Sequence, residues 1–289
     1  RPPRSTLFPY TTLFRSRLFR LQGQASSGIR LERPSDDPVA VERSLRLASE
    51  QVEIGRFLDN ARDAQDWLAV TEGALQEAEQ VLLRARELAL RGANATLDDT
   101  SRQALADEAQ VLFDHLLEIS NASYKGRYLF GGTATTNPPF VADPADPDAI
   151  AYEGNTHGIE RELGAGIHLT INVTGDLFKP MFSVLAALRD QLLAGDQAAL
   201  GGATLAQLDE RLDALIETRS TVGARMQRAE LSAQRLEDLQ LQVEKLNASL
   251  SQVDLAEVLM DLRSTEVTLR AALATGARLI QPTLADYLG

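Results

Sequence analysis

The placement of proline constrains this chain more than any other feature. None of the 11 prolines lies between Val39 and Asn137, and none lies between Met181 and Gln281. Proline inside a helix removes a backbone donor and clashes with the preceding turn, so two long helix-permissive blocks flank a middle segment. That segment, Gly126 to Gly175, holds four prolines and eight of the 19 glycines. It also carries the one clear period-two run, Ile167-His168-Leu169-Thr170-Ile171-Asn172-Val173, which predicts a half-buried strand over 167–173. The middle reads as a small β-rich insert.

Within the first block, Pro34-Ser35-Asp36-Asp37-Pro38-Val39 offers caps and a first-turn proline for a helix. Ala40, Leu47, Ile54, Ala61, Leu68, Leu75, Leu82 and Ala89 follow at unbroken seven-residue spacing, with Ala64, Ala78 and Ala85 in a neighbouring row. This spacing predicts a coiled-coil seam. Gly92 and Asn94 offer a stop, and Asp98 or Asp99 a cap for a second helix carrying Leu105, Leu112, Leu116 and Ile119, which gives an antiparallel hairpin. The second block opens with a shorter helix at about Met181–Leu193. Then Leu208, Leu215, Val222, Ala229, Leu236, Val243 and Leu250 repeat at seven. The companion row Leu212, Arg219, Met226, Ala233 changes phase to Leu239, Leu246, Val253, which marks a shift of packing partner or a local rewinding. From Leu255 to Ile280 an apolar helix continues with no obvious partner within the chain. The fold class is mainly α: an elongated antiparallel helical bundle or coiled coil built from both chain ends, with a small β-rich insert.

Residues 1–16 stand apart, with three prolines, three arginines, three aromatics and no acid. They resemble a translated sequencing-adapter read and are set aside from the fold as non-native. They lack the continuous apolar core of a signal peptide. No segment reaches the length of uninterrupted apolar residues that a membrane span requires.

Composition excludes much chemistry. The 289 residues contain no cysteine, which removes disulfides, thiolate metal sites and thiol nucleophiles. A formal charge of −12 argues against nucleic acid as a partner. His115, His157 and His168 are scattered and fit no ligand spacing. Asp143, Asp146 and Asp148 lack the glycine and closing glutamate of a calcium loop and read as a solvated turn. No phosphate-binding glycine loop occurs. Gly131-Gly132 reads as a turn whose glycines also let a backbone approach closely. Catalytic, cofactor and metal residues are therefore expected to be none, and the chain is expected not to be an enzyme. Heptads alone equally suit a cytosolic coiled-coil scaffold.

Three ordered stretches narrow the choice. Gly28 and Arg30 precede Pro34-Ser35-Asp36-Asp37-Pro38; Glu72-Gly73-Ala74-Leu75 precedes Arg86-Glu87-Leu88; and Asn121 precedes Gly126-Arg127-Tyr128-Leu129-Phe130-Gly131. With the ending Leu284-Ala285-Asp286-Tyr287-Leu288, the set resembles the bacterial flagellin and hook-associated protein family. Flagellins usually read close to AADDAAG and NG-x-x-LL where this chain has its DDP and GRYLFGG stretches, so the hook-associated, junction-type members are nearer and flagellin is the alternative. The resemblance implies a subunit exported through the flagellar type III apparatus to an extracellular location, without a cleavable signal. Its expected partners are other copies of itself, hook-associated protein 1, flagellin and an export chaperone.

The resemblance also implies a domain plan: 17–33 and 254–289 as the two halves of a terminal coil, 34–125 and 180–253 as the helical rod, and 126–179 as the insert. The terminal coil of this family orders on assembly, so the expected interface is Leu255, Val258, Leu259, Leu262, Leu269, Leu273, Leu279, Ile280 and Tyr287. The family's first helix would reach further toward the N-terminus, where residues 1–16 now stand.

Overall fold

The computed structural model describes residues 8–31, 35, 37–94, 97–144 and 146–280. In chain order the elements are α1 (Phe8–Ser27), α2 (Pro38–Asn94), α3 (Asp99–Ser120), β1 (Ser123–Tyr124), β2 (Arg127–Tyr128), β3 (Phe140–Asp143), β4 (Asp146–Tyr152), β5 (Glu160–Gly164), β6 (Ile167–Thr170), α4 (Lys179–Ala194), α5 (Gln197–Ala199), α6 (Leu205–Ser251) and α7 (Leu255–Ile280). The chain forms two compact units, residues 1–53 with 239–289, and residues 54–238.

In the second unit the expected seams are the core. Ile54, Ala61, Leu68, Leu75, Leu82 and Ala89 of α2 are buried, as are Leu208, Leu215, Val222 and Ala229 of α6. The two helices run antiparallel, pinned by Arg62–Glu237 at 2.8 Å near one end and Arg86–Asp209 at 2.6 Å near the other. Burying each large aliphatic side chain stabilises by about 1.5–3 kcal/mol, so the repeat rather than helix propensity holds this unit together. Asp98 caps α3 through its carboxylate, which accepts the Ser101 amide at 3.0 Å. α3 then packs against α4, with Phe113 edge-on to Phe182. The phase change in α6 falls where the chain leaves this unit, between Asp238 and Leu239.

Among the described residues the strands form three separate antiparallel hairpins, not one sheet. Lys125 and Gly126 both take positive φ, 50° and 75°, which gives the tight β1–β2 turn the twist its strands need. Phe140 of β3 stacks among Tyr152, Phe178 and Phe182. Asn121, the residue closing α3, holds β3 with both side-chain atoms, donating to the Phe140 carbonyl at 2.8 Å and accepting its amide at 3.0 Å. The β5–β6 hairpin lies on α2 through Arg161–Asp63 at 2.9 Å, Arg56–Glu162 at 3.0 Å and the Asn60 amide to the Glu162 carbonyl at 2.9 Å.

Four sequence expectations need correction. The strand predicted over 167–173 ends at Thr170. Ile167 is exposed and Asn172 is buried, because the Asn172 side chain accepts the Ile159 amide at 2.7 Å and donates to the His157 carbonyl at 3.1 Å. Asp148 is not simply a solvated carboxylate: although about a third of its side chain stays exposed, Arg189 of α4 grips both its oxygens at 2.7 and 2.6 Å. The C-terminal helix is not continuous with α6: Gln252-Val253-Asp254 interrupt it, Asp254 caps α7, and Leu246 of the companion row is exposed. Helix α1 starts at Phe8, within the stretch set aside from the fold.

Candidate assembly surface

The first unit brings the two ends of the described chain together. On α1 the least exposed side chains are Phe14, Leu18, Leu21 and Ala25 among others; on α7 they are Val258, Leu262, Thr265, Leu269 and Ala272. Both sets follow alternating spacings of four and three, the signature of a two-helix seam, and α1 and α7 pack on each other. Their direction is antiparallel, because Arg17 reaches Asp261 at 3.2 Å while the ends beyond Ser27 and before Leu255 meet.

That meeting point explains the first motif. Gly28, at φ 71°, ends α1 in a conformation that favours glycine. Its carbonyl accepts the Val253 amide at 3.1 Å, and the Arg30 amide donates to the Ser251 carbonyl at 2.7 Å. The Arg30 guanidinium adds Nε and Nη2 bonds of 3.2 and 2.9 Å to the Leu250 carbonyl. Gly28 and Arg30 thus clasp the crossing where α6 gives way to α7. Asp37 caps α2 by accepting the Ala40 amide at 3.0 Å, and Pro38 opens that helix.

The expected interface residues divide by this geometry. Val258, Leu262 and Leu269 lie on the side of α7 that faces α1, so the expectation that the face past Val253 lacks a partner in the chain is corrected. Phe14, inside the discarded stretch, is part of what covers it. Leu255, Leu259 and Leu273 remain exposed, together with Met260 and Val267 of α7 and Leu13 and Phe19 of α1. The side chains of Leu279 and Ile280 lie outside the described residues, as do Tyr287 and the motif residues Pro34 and Asp36.

The remaining motif residues serve packing in the second unit, not one site. Arg86 pairs with Asp209, Glu87 with Arg84 at 2.5 Å, and Leu88 is buried in the bundle. Gly126 lies in the β1–β2 turn and Arg127 opens β2, and the Tyr128 amide donates to the Thr135 carbonyl at 2.9 Å. Leu129 and Phe130 are fully buried, with Phe130 edge-on to Phe178. A Cβ on Gly131 would strike the Ala134 carbonyl, and one on Gly132 the Asn155 carbonyl, so both glycines permit the close backbone approach read from the sequence. Sequence reasoning missed Tyr152, whose hydroxyl lies 2.9 Å from the Phe130 carbonyl and accepts the Gly175 amide at 3.1 Å; nothing in its local sequence signals that role.

Charge is divided as sharply as fold. The first unit has 13 basic and 12 acidic residues, net +1, whereas the second has 16 and 29, net −13. A nearly neutral surface with exposed apolar side chains can approach a copy of itself without the self-repulsion a net charge imposes. Among the described residues no group of three or more His, Asp or Glu could hold a metal ion, and no helix is long and apolar enough to cross a membrane. An open groove of about 360 Å³ between Thr170–Thr174 and α6 is lined by threonines, Glu217 and Arg225.

Terminal helices paired by a heptad seam, with a helical bundle bearing small hairpins, define a mainly helical fold with a small β insert. Residues 14–135 match the model of the bacterial flagellin N-terminal helical region, a likeness to the flagellin and hook-associated protein family. The chain is 30% identical over 154 residues to flagellar hook-associated protein 3 of Escherichia coli K12, covering 53% of this chain and 47% of that protein. It is 26% identical over 249 residues to a flagellin of Halalkalibacterium halodurans, covering 86% and 83%. The chain spans about half the length of the hook-associated proteins it matches. Its fold is similar to the solved flagellar hook associated protein-3 of Legionella pneumophila, with a TM-score of 0.62 at 17% identity over 75% of this chain and 98% of that one.

Proposed function

We propose that this chain is a structural subunit of the bacterial flagellum, a junction protein between hook and filament, which assembles with copies of itself through its terminal helices. The observation that carries this reading is the antiparallel α1–α7 pair, whose inner seam is satisfied within the chain while Leu255, Leu259, Val267 and Leu273 stay exposed. Burial of those side chains between copies supplies the driving force. Hook-associated protein 1 on one side and flagellin on the other are the neighbours such a junction needs, and an export chaperone would cover the same apolar helices before assembly. In this reading 17–33 and 254–289 act as the terminal coil, 34–125 and 180–253 as the rod and 126–179 as the insert. Type III export would carry the chain to the outside of the cell.

The long match to a flagellin favours a second reading, in which the chain is itself a filament subunit. Expression in a strain lacking its junction protein separates the two. Restored motility with the protein confined to the hook tip supports the junction. Long filaments made of this chain alone support flagellin, and absence from the flagellum contradicts both.

A further inference from the structure

We infer that Arg219, held by Glu72 and Glu79, sets the register of α2 against α6. The apolar seam cannot do this alone. Leu68, Leu75 and Leu82 of α2 and Leu208, Leu215 and Val222 of α6 each repeat at seven, so sliding one helix by a heptad, about 10 Å at 1.5 Å per residue, packs nearly the same side chains against one another. Arg219 is the one charged residue in the row Leu212, Arg219, Met226, Ala233. Its guanidinium donates to Glu72 Oε1 through Nε at 2.9 Å and Nη2 at 2.5 Å, and to Glu79 through Nη1. All three side chains are about three-quarters covered or more at the helix–helix boundary.

The row facing Arg219 acts as a code. At heptad spacing it reads Gln65, Glu72, Glu79, Arg86. Only the observed register places two carboxylates beside Arg219. A slip of one heptad one way offers Gln65 and Glu72; the other way it offers Glu79 and Arg86, a like charge that would also lose Asp209. A partly buried charge beside an apolar seam is costly to leave unpaired, and a single polar residue at such a position is a well-attested means of fixing coiled-coil register. The two carboxylates also hold Arg219 above the ordinary arginine pKa.

The chain has no cysteine, so Gln80→Cys with Gln234→Cys, both exposed positions, carries the only pair of spin labels. Pulsed electron resonance on the otherwise native chain should give one distance maximum. In Arg219→Leu/Glu72→Leu/Glu79→Leu, where no charge is left unpaired, the helices should persist by circular dichroism while a second maximum appears, displaced by about 10 Å. The reversed set, Arg219→Glu/Glu72→Arg/Glu79→Arg, should return a single maximum. One unshifted maximum in the triple leucine variant, loss of its helices, or two maxima in the reversed set would each overturn the assignment.

Discussion

Replacing Leu259 and Val267 together by aspartate tests whether the outer side of α7 joins copies of the chain. The two side chains are 49% and 65% exposed. Full burial of a leucine or valine stabilises by about 1.5–3 kcal/mol, so covering what remains exposed contributes roughly 1 kcal/mol or more at each position. Losing both removes about 2–3 kcal/mol per contact, and the aspartates add the cost of desolvating unpaired carboxylates. The threshold concentration for assembly, measured by sedimentation, should rise at least about a hundredfold. The free subunit should be indifferent, its urea midpoint moving by less than about 0.5 kcal/mol equivalent, because neither side chain supports the inner seam. Leu262→Asp provides the contrast: it faces α1 and should loosen the terminal pair before any assembly occurs. A Leu259→Asp/Val267→Asp variant that assembles at the native threshold would refute the reasoning.

Leu75→Ala should cost about 2–5 kcal/mol in urea unfolding, since the side chain is fully buried at the centre of the α2 seam. Arg30→Ala removes two bonds to the Leu250 carbonyl and should cost about 1–2 kcal/mol locally; hydrogen exchange should accelerate in α1 and α7 while α3 amides stay unchanged. The Arg189 guanidinium beside Asp148 holds that carboxyl below its ordinary range. Its stabilisation is therefore present above the unfolded carboxyl pKa of about 3.9 and lost as pH falls through the lower folded value. Asp148→Asn should lower stability at neutral pH by about 1 kcal/mol and flatten the acid limb of the stability curve, read by denaturant titration at several pH values.

Much of the bundle was legible because burial there follows a period. Ile54 through Ala89 and Leu208 through Ala229 lie inside wherever the repeat puts them, and Asp98 caps α3 as its position suggests. The insert was less legible because its hairpins are held by partners distant in sequence. Asn172 is buried by satisfying the backbone of residues 157 and 159, and Asp148 is claimed by Arg189; neither contact leaves a trace in local alternation. The terminal pair was half legible. The apolar face of α7 is plain in the sequence, but its partner α1 contains Phe14, in a stretch whose composition marks it as foreign. Composition describes what a segment is unlike, whereas the α1 seam depends only on where its apolar residues fall along a helix. The motifs Gly28–Arg30 and Asn121 were visible as residues, but their roles are backbone bonds to Leu250, Ser251, Val253 and Phe140, which only the folded chain brings near.

Copies of the chain that meet through the first unit should bury the outer side of α7 on assembly. Because the chain lacks cysteine, Val267→Cys on α7 and Gln80→Cys on α2 each provide a single thiol, whose rate of reaction with a maleimide can be compared before and after assembly. The thiol at 267 should react readily in the free subunit and at least about tenfold more slowly once assembled, with the thiol at 80 little changed. Equal reactivity at 267 in both states, with protection at 80 instead, would contradict it.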